Sequence, residues 1–208
     1  MAYTDQDLQV MDSIISRYPR SRSAIMPLLH YVQYKSGYVT NEGIEIISEK
    51  LGIETAEVSA VATFYTQYKR KPVGEYHVGV CTNTLCAIMG GDAIFSALKE
   101  HLGIGNDGVT TDGKVSLEHI ECNAACDYAP VVMANWEFYD NQTVESAKAL
   151  VDGARNGNPP APTRGPNKLQ TWRENSAVLA GLDDGHAHEG VQAGDPSLLG
   201  LKISKGQK

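Results

Sequence analysis

The sequence predicts an α+β protein in three parts: a small helical bundle over 1–72, an α/β domain over 73–156, and an extended linker and tail over 157–208. Three observations lead there. Apolar residues recur at helical spacing through the first seventy positions, and the period changes to two at Glu75. A segment from Asn156 to Pro166, NGNPPAPTRGP, then breaks the pattern with four prolines and two glycines, and apolar residues thin out beyond it.

Each element has a local reason. Leu8, Met11, Ile14 and Ile15 line one face of a helix over Asp5–Arg17, with Thr4 as its N-cap. A second helix, AIMPLLHYVQYK, follows Ser23 and ends at Gly37, its Pro27 falling near the first turn, where a missing N–H costs least. Thr40 or Asn41 opens a third, closed by Gly52, and Thr55 starts a fourth, TAEVSAVATFYTQY, with Glu57 near the capping-box position. EYHVGVC then alternates as a strand ending in Cys81, and a helix is expected over Leu85–Leu102, weakened at Gly90-Gly91 unless those glycines admit another backbone. KVSLEHIEC is a second strand ending in a cysteine. PVVMANWEFYD reads as a strand or hairpin, Thr143–Arg155 as a helix, and Leu169–Leu182 carries a weak helical signal. The order strand, helix, strand, cysteine loop, hairpin, helix resembles a thioredoxin-like α/β sandwich, although periodicity by itself does not select among small α/β folds.

Composition narrows the function classes. A net charge of −7 with no Lys/Arg run argues against a nucleic-acid partner. The polar start, MAYTDQDLQVMDS, lacks the basic and apolar regions of a signal peptide, and no apolar run approaches the roughly 18 residues of a membrane span. A cytoplasmic location is expected, with membrane association only through partner subunits. In a reducing compartment, paired cysteines are more often metal ligands or redox groups than disulfides.

The four cysteines are Cys81 and Cys86 in CTNTLC and Cys122 and Cys126 in CNAAC. Neither spacing is the C-x2-C of zinc knuckles or thioredoxin-type redox sites. Four thiolates suffice for a [2Fe–2S] cluster, with Cys81 and Cys86 expected on one iron and Cys122 and Cys126 on the other. Spacing leaves structural zinc open as the alternative. Thr82, Asn83 and Thr84, with the helix N-terminus near Cys86, are candidate donors to the sulfurs, although each is equally explained as an ordinary loop or cap residue. His77 and His119 are expected to be structural. The HAH of His186 and His188 is expected to be solvated tail, and FYTQY to be core or interface. GIGNDG lacks the spacing and context of a nucleotide fingerprint, and no nucleophile arrangement stands out, so no substrate site is expected.

Two segments, VATFYTQYKRKPVGEYHVGVCTNTLC and LGIGNDGVTTDGKVSLEHIECNAACDYAPVV, together with the helical start, carry a family resemblance. They resemble the thioredoxin-like [2Fe–2S] subunit of NADH-quinone oxidoreductase, the respiratory complex I. The resemblance spans about Tyr18 to Arg155. It implies that Cys81, Cys86, Cys122 and Cys126 hold one [2Fe–2S] cluster, and that the protein docks on a flavin-bearing, NADH-oxidising neighbour. FMN and NADH are implied on that neighbour alone, beside other peripheral-arm subunits. Related subunits occur in NAD-linked hydrogenases and formate dehydrogenases, which keeps that reading beside the first. One departure stands out. The second cysteine loop of the family usually reads C-L-G-x-C, whereas Asn123 and Ala124 stand here, so a positive φ at the glycine position would strain Ala124. The tail is expected to be disordered alone or to pack on a neighbouring subunit.

Overall fold

The computed structural model describes residues 3–186, 189–191 and 193–207. Two units emerge from the packing, one of 1–73 with 170–184 and the other of 74–169 with 185–208.

In the first unit, α1 (Asp5–Ile15) starts at Thr4, whose side chain accepts from the Asp7 N–H while Asp7 accepts from the Thr4 N–H. This reciprocal box satisfies two helix-end donors, and one such cap contributes about 1 kcal/mol. A short 3-10 turn (Ser21–Ala24) leads into α2 (Ile25–Ser36), and Gly37 ends it with a left-handed residue. Next come α3 (Asn41–Leu51), capped by Thr40, and α4 (Thr55–Phe64), boxed by Glu54 and Glu57. Leu28, Leu29, Val32, Ile47 and Val58 are fully buried among these helices. Burying each such side chain contributes about 1.5–3 kcal/mol. The fourth helix stops at Phe64, short of the expected Tyr68. The tyrosine turns back into the core and donates its hydroxyl to Met26 O at 3.1 Å.

The second unit holds, among the described residues, a five-stranded sheet in the order β2-β3-β1-β4-β5. Its strands are β1 (Tyr76–Cys81), β2 (Gly108–Val109), β3 (Val115–Ile120), β4 (Val132–Ala134) and β5 (Glu137–Tyr139). Between β1 and β3 run α5 (Thr84–Ile88) and α6 (Gly91–Leu102); α7 (Val144–Arg155) follows β5. One sheet face, with Val78, Val80, Leu117 and Val132, is covered by Ile94 and Leu98 of α6 and by Leu150 and Val151 of α7. The single helix expected over Leu85–Leu102 is broken in two, with Gly90 at φ +112°. PVVMANWEFYD forms the hairpin β4–β5, turned through positive φ at Asn135 and Trp136.

Register places the cysteines. β1 and β3 pair in parallel from Tyr76↔Val115 to Cys81↔Ile120, so both strands end at the same edge and send their cysteine loops out together. On the other side of β1 the antiparallel β4 pairs Val132 with Val80, and Cys81 N–H donates to Val131 O at 3.1 Å, bringing the chain back from the second loop.

Residues 157–208, read as linker and tail, carry more structure than their composition suggests. The weak helical signal is realised as α8 (Trp172–Leu179), boxed by Thr171 and Glu174, which packs along α2 and donates its Trp172 indole N–H to Gly37 O at 2.7 Å. A last helix, α9 (Asp195–Ser204), exposes Leu198, Leu199, Leu201 and Ile203.

Candidate iron–sulfur centre

The first cysteine pair sits on regular structure. Cys81 is the last residue of β1 and Cys86 lies in the first turn of α5; both are buried. The break between α5 and α6 makes this possible. A Cβ on Gly91 would lie 2.4 Å from Cys81 O and 2.9 Å from Cys86 O, so only glycine lets the chain pass both cysteine carbonyls. Asn83, the N-cap of α5, donates its amide to Ile120 O at 2.9 Å, tying the α5 loop to β3, and the same nitrogen is 3.8 Å from Cys81 Sγ. Of the candidate donors in Thr82–Thr84, it is the one that reaches a sulfur.

The second pair sits on irregular backbone and is exposed. Cys122 follows β3, and Cys126 opens a 3-10 turn (Cys126–Tyr128). Their sulfurs are 3.5 Å apart. Ala124 has φ +56°, the left-handed conformation expected at the glycine position of the family loop, and its N–H points at Cys122 Sγ at 3.4 Å. For an alanine this geometry costs roughly 1–2 kcal/mol.

The thiols are electrostatically linked across the loops. Burial pushes the Cys86 thiol up to about 11; a Val131 N–H opposes the rise and neighbouring Cys81 and Cys126 add to it. Cys126 is raised by its hydrogen bond and charge coupling with Cys122, and more weakly by Cys81. The Val131, Ala124 and Asn83 N–H groups therefore surround a cluster of soft donors that repel one another once ionised. Among the described residues, no group of three His, Cys, Asp or Glu side chains is set to share a single ion. The thiols come two and two.

The other sequence candidates fall elsewhere. The His77 ring is buried between Ser116 Oγ (2.8 Å) and Glu118 Oε2 (2.9 Å), so both nitrogens serve the sheet. His119 is exposed, with its ring against Phe95. His188 lies outside the described residues; His186 pairs with Glu189. FYTQY is divided, with Tyr68 in the core and Phe64 78% exposed. Sequence reasoning missed the Gly91 contact in its detail and the Val131 donor, for which no motif exists.

A mixed sheet with helices on one face and four thiols gathered at one edge defines a small redox ferredoxin. A family model described as thioredoxin-like [2Fe–2S] ferredoxin matches residues 11–155, and the chain belongs to that family, as do relatives named as a subunit of NADH-quinone oxidoreductase. One such relative, from Mycobacterium tuberculosis, is 60% identical over 193 residues, covering 92% of this chain and 76% of its own. NADH-quinone oxidoreductase subunit 2 of Thermus thermophilus is 38% identical over 160 residues, 76% of this chain and 88% of that one. A solved structure of an NAD+-reducing [NiFe]-hydrogenase shares the fold at TM-score 0.55 and 18% identity, over 64% of this chain and 23% of that one. Family membership implies a [2Fe–2S] cluster, and the donor set fits one: four soft thiols in two pairs, with N–H groups aimed at the sulfurs.

Proposed function

We propose that the chain is the iron–sulfur electron-transfer subunit of an NADH-quinone oxidoreductase, exchanging single electrons with the flavin of the neighbouring NADH-oxidising subunit. Cys81 and Cys86 hold one iron, and Cys122 and Cys126 the other. The observation that carries this reading is the two-and-two arrangement with one pair exposed. Two thiolates on one tetrahedral iron, at metal–sulfur bonds of about 2.3 Å, stand roughly 3.8 Å apart. The 3.5 Å between Cys122 and Cys126 is close to that spacing.

A bound [2Fe–2S] cluster supplies one-electron redox chemistry. The chain's residues do the rest. Val131, Ala124 and Asn83 direct N–H dipoles at sulfurs whose negative charge grows on reduction, which favours the reduced state. Burial of Cys81 and Cys86 keeps water from one side of the site, while the exposed pair leaves the other open to a redox partner. Leu85, Ile88 and Met89 of α5, exposed beside Cys86, supply an apolar rim for that contact. FMN and NADH belong to the partner, and no substrate site is assigned to this chain. The protein lies at the membrane through its complex, on the cytoplasmic side; among the described residues, no helix is long and apolar enough to cross a membrane.

The test is electron exchange with a partner. Mixed anaerobically with the flavin-bearing subunit of its own organism, the protein is expected to show its reduced EPR signal on adding NADH, and no signal with NADH alone. Ile88→Asp should weaken that exchange by raising the partner concentration it needs. Copurification with hydrogenase or formate dehydrogenase subunits instead of this partner would overturn the assignment to the quinone-reducing complex.

A further inference from the structure

Beyond the matched residues 11–155, the chain returns to the exposed cysteine loop. Thr163 N–H donates to Phe138 O at 2.8 Å, and Arg164 forms an antiparallel bridge with Phe138, so the proline-rich stretch lies along the edge of β5. The Arg164 guanidinium meets Asp140 through two bonds, Nε to Oδ2 at 2.9 Å and Nη2 to Oδ1 at 2.8 Å. Thr163 Oγ1 donates to the same carboxylate at 2.9 Å. The ion pair is largely shielded, with side-chain exposures of 19% for Arg164 and 6% for Asp140. Above and beside it lie two rings, Phe138 at 4.0 Å and Tyr128 at 5.3 Å from the guanidinium carbon.

These contacts end at the cysteine loop. Tyr128 sits two positions after Cys126, and its carbonyl accepts from Asn141 N–H at 2.8 Å, immediately after Asp140. Gln142 N–H donates to Pro130 O at 2.9 Å. A second layer comes from the tail: Gly165 N–H donates to Val191 O at 2.9 Å, and a Cβ on Gly194 would fall 1.7 Å from the buried Tyr128 hydroxyl. The loop itself has little to hold it, since it is exposed, irregular and carries Ala124 at positive φ.

We infer that Arg164 is a positioning residue for the Cys122–Cys126 loop, locking its exit through Asp140 and Tyr128; this rests on the proposed ligand role of those cysteines. Two physical consequences follow. A lysine keeps the charge but offers neither the fork that matches a carboxylate nor a flat cation to lie between rings. Loss of the cation altogether leaves the Asp140 carboxylate uncompensated close to the cluster loop. Added negative potential there opposes electron uptake and lowers the midpoint potential.

The experiment uses the full-length, anaerobically purified protein as wild type, Arg164→Lys, Arg164→Gln and the pair Arg164→Gln with Asp140→Asn. Bleaching of the visible spectrum by EDTA reads how firmly the loop holds iron, and EPR-monitored titration reads the potential. Arg164→Gln is expected to bleach several-fold faster and to titrate at lower potential. Arg164→Lys should bleach faster at near wild-type potential, and the double variant should recover the potential but not the bleaching rate. If Arg164→Gln does not fold, the other two variants carry the same comparison. A wild type with two irons, and variants that bleach at its rate, would overturn the inference alone. A wild type without iron would overturn the electron-carrier reading on which it rests.

Discussion

Cys81 and Cys86 are buried on the end of a central strand and the first turn of a helix, whereas Cys122 and Cys126 are exposed on a loop with a strained alanine. The first pair is a product of the fold: sheet register, the Gly91 contact and the Asn83 tie place it before any metal binds. The second pair depends on contacts from elsewhere in the chain and on the metal itself. One half of the site is therefore preorganised, and the other is accessible for exchange and easier to disturb. An electron carrier needs both properties, because a rigid site limits rearrangement on reduction while an open edge lets the partner approach.

Removing a ligand from each half gives the largest expected contrast. Cys86→Ala and Cys126→Ala should both lose or convert the cluster, read as iron content and EPR. In the apoprotein they should part. Cys86→Ala removes a buried side chain and is expected to cost about 1–2 kcal/mol in urea unfolding, whereas the exposed Cys126→Ala should stay within about 0.5 kcal/mol of wild type. Equal apoprotein losses would erase the distinction between the pairs. Gly91→Ala attacks only the preorganised half: its Cβ would meet the Cys81 carbonyl, so a loss of roughly 1–3 kcal/mol in the apoprotein is expected from differential scanning calorimetry.

Thiol chemistry sharpens the same comparison. In the apoprotein, iodoacetamide should label Cys122 and Cys126 at least about tenfold faster than Cys81 and Cys86, by access as much as by ionisation. Cys86 also has a pH signature. Its folded thiol titrates near 11 because burial favours the neutral form, above the unfolded thiol near 9. That contribution to apoprotein stability is fully present below pH 9 and is lost as the pH rises through 11, since the unfolded chain releases the proton first. A Cys86→Ala apoprotein should lose this part of the alkaline slope. The smallest effect is expected from Ala124→Gly, which relieves the positive φ: about 0.5–1 kcal/mol in apoprotein stability, or a small change in EPR line shape when loaded.

Much of this was legible in the sequence because the signals are local. Thr4, Thr40 and the Glu54–Glu57 region mark helix starts through their own hydrogen bonds, and Gly37 and Gly52 mark ends. The alternation in EYHVGVC and KVSLEHIEC gave strands that end in cysteines, and the family loop pattern pointed to Ala124. What stayed hidden is tertiary. The Leu85–Leu102 period is continuous across Gly90-Gly91, and nothing nearby announces that two cysteine carbonyls need the space of a missing Cβ. Arg164 stands among prolines, so composition reads as linker, while its significance lies in Asp140, 24 residues earlier. Trp172 likewise gains its place only from the carbonyl of Gly37, across 135 residues of chain.

The most direct test of the central claim is iron and zinc content with low-temperature EPR on anaerobically purified wild-type protein, before and after dithionite. About two irons per chain, with a rhombic signal that appears only on reduction, is the expected result. One zinc per chain, no colour and no signal after anaerobic reconstitution would contradict it, and would leave the four thiols as a structural site.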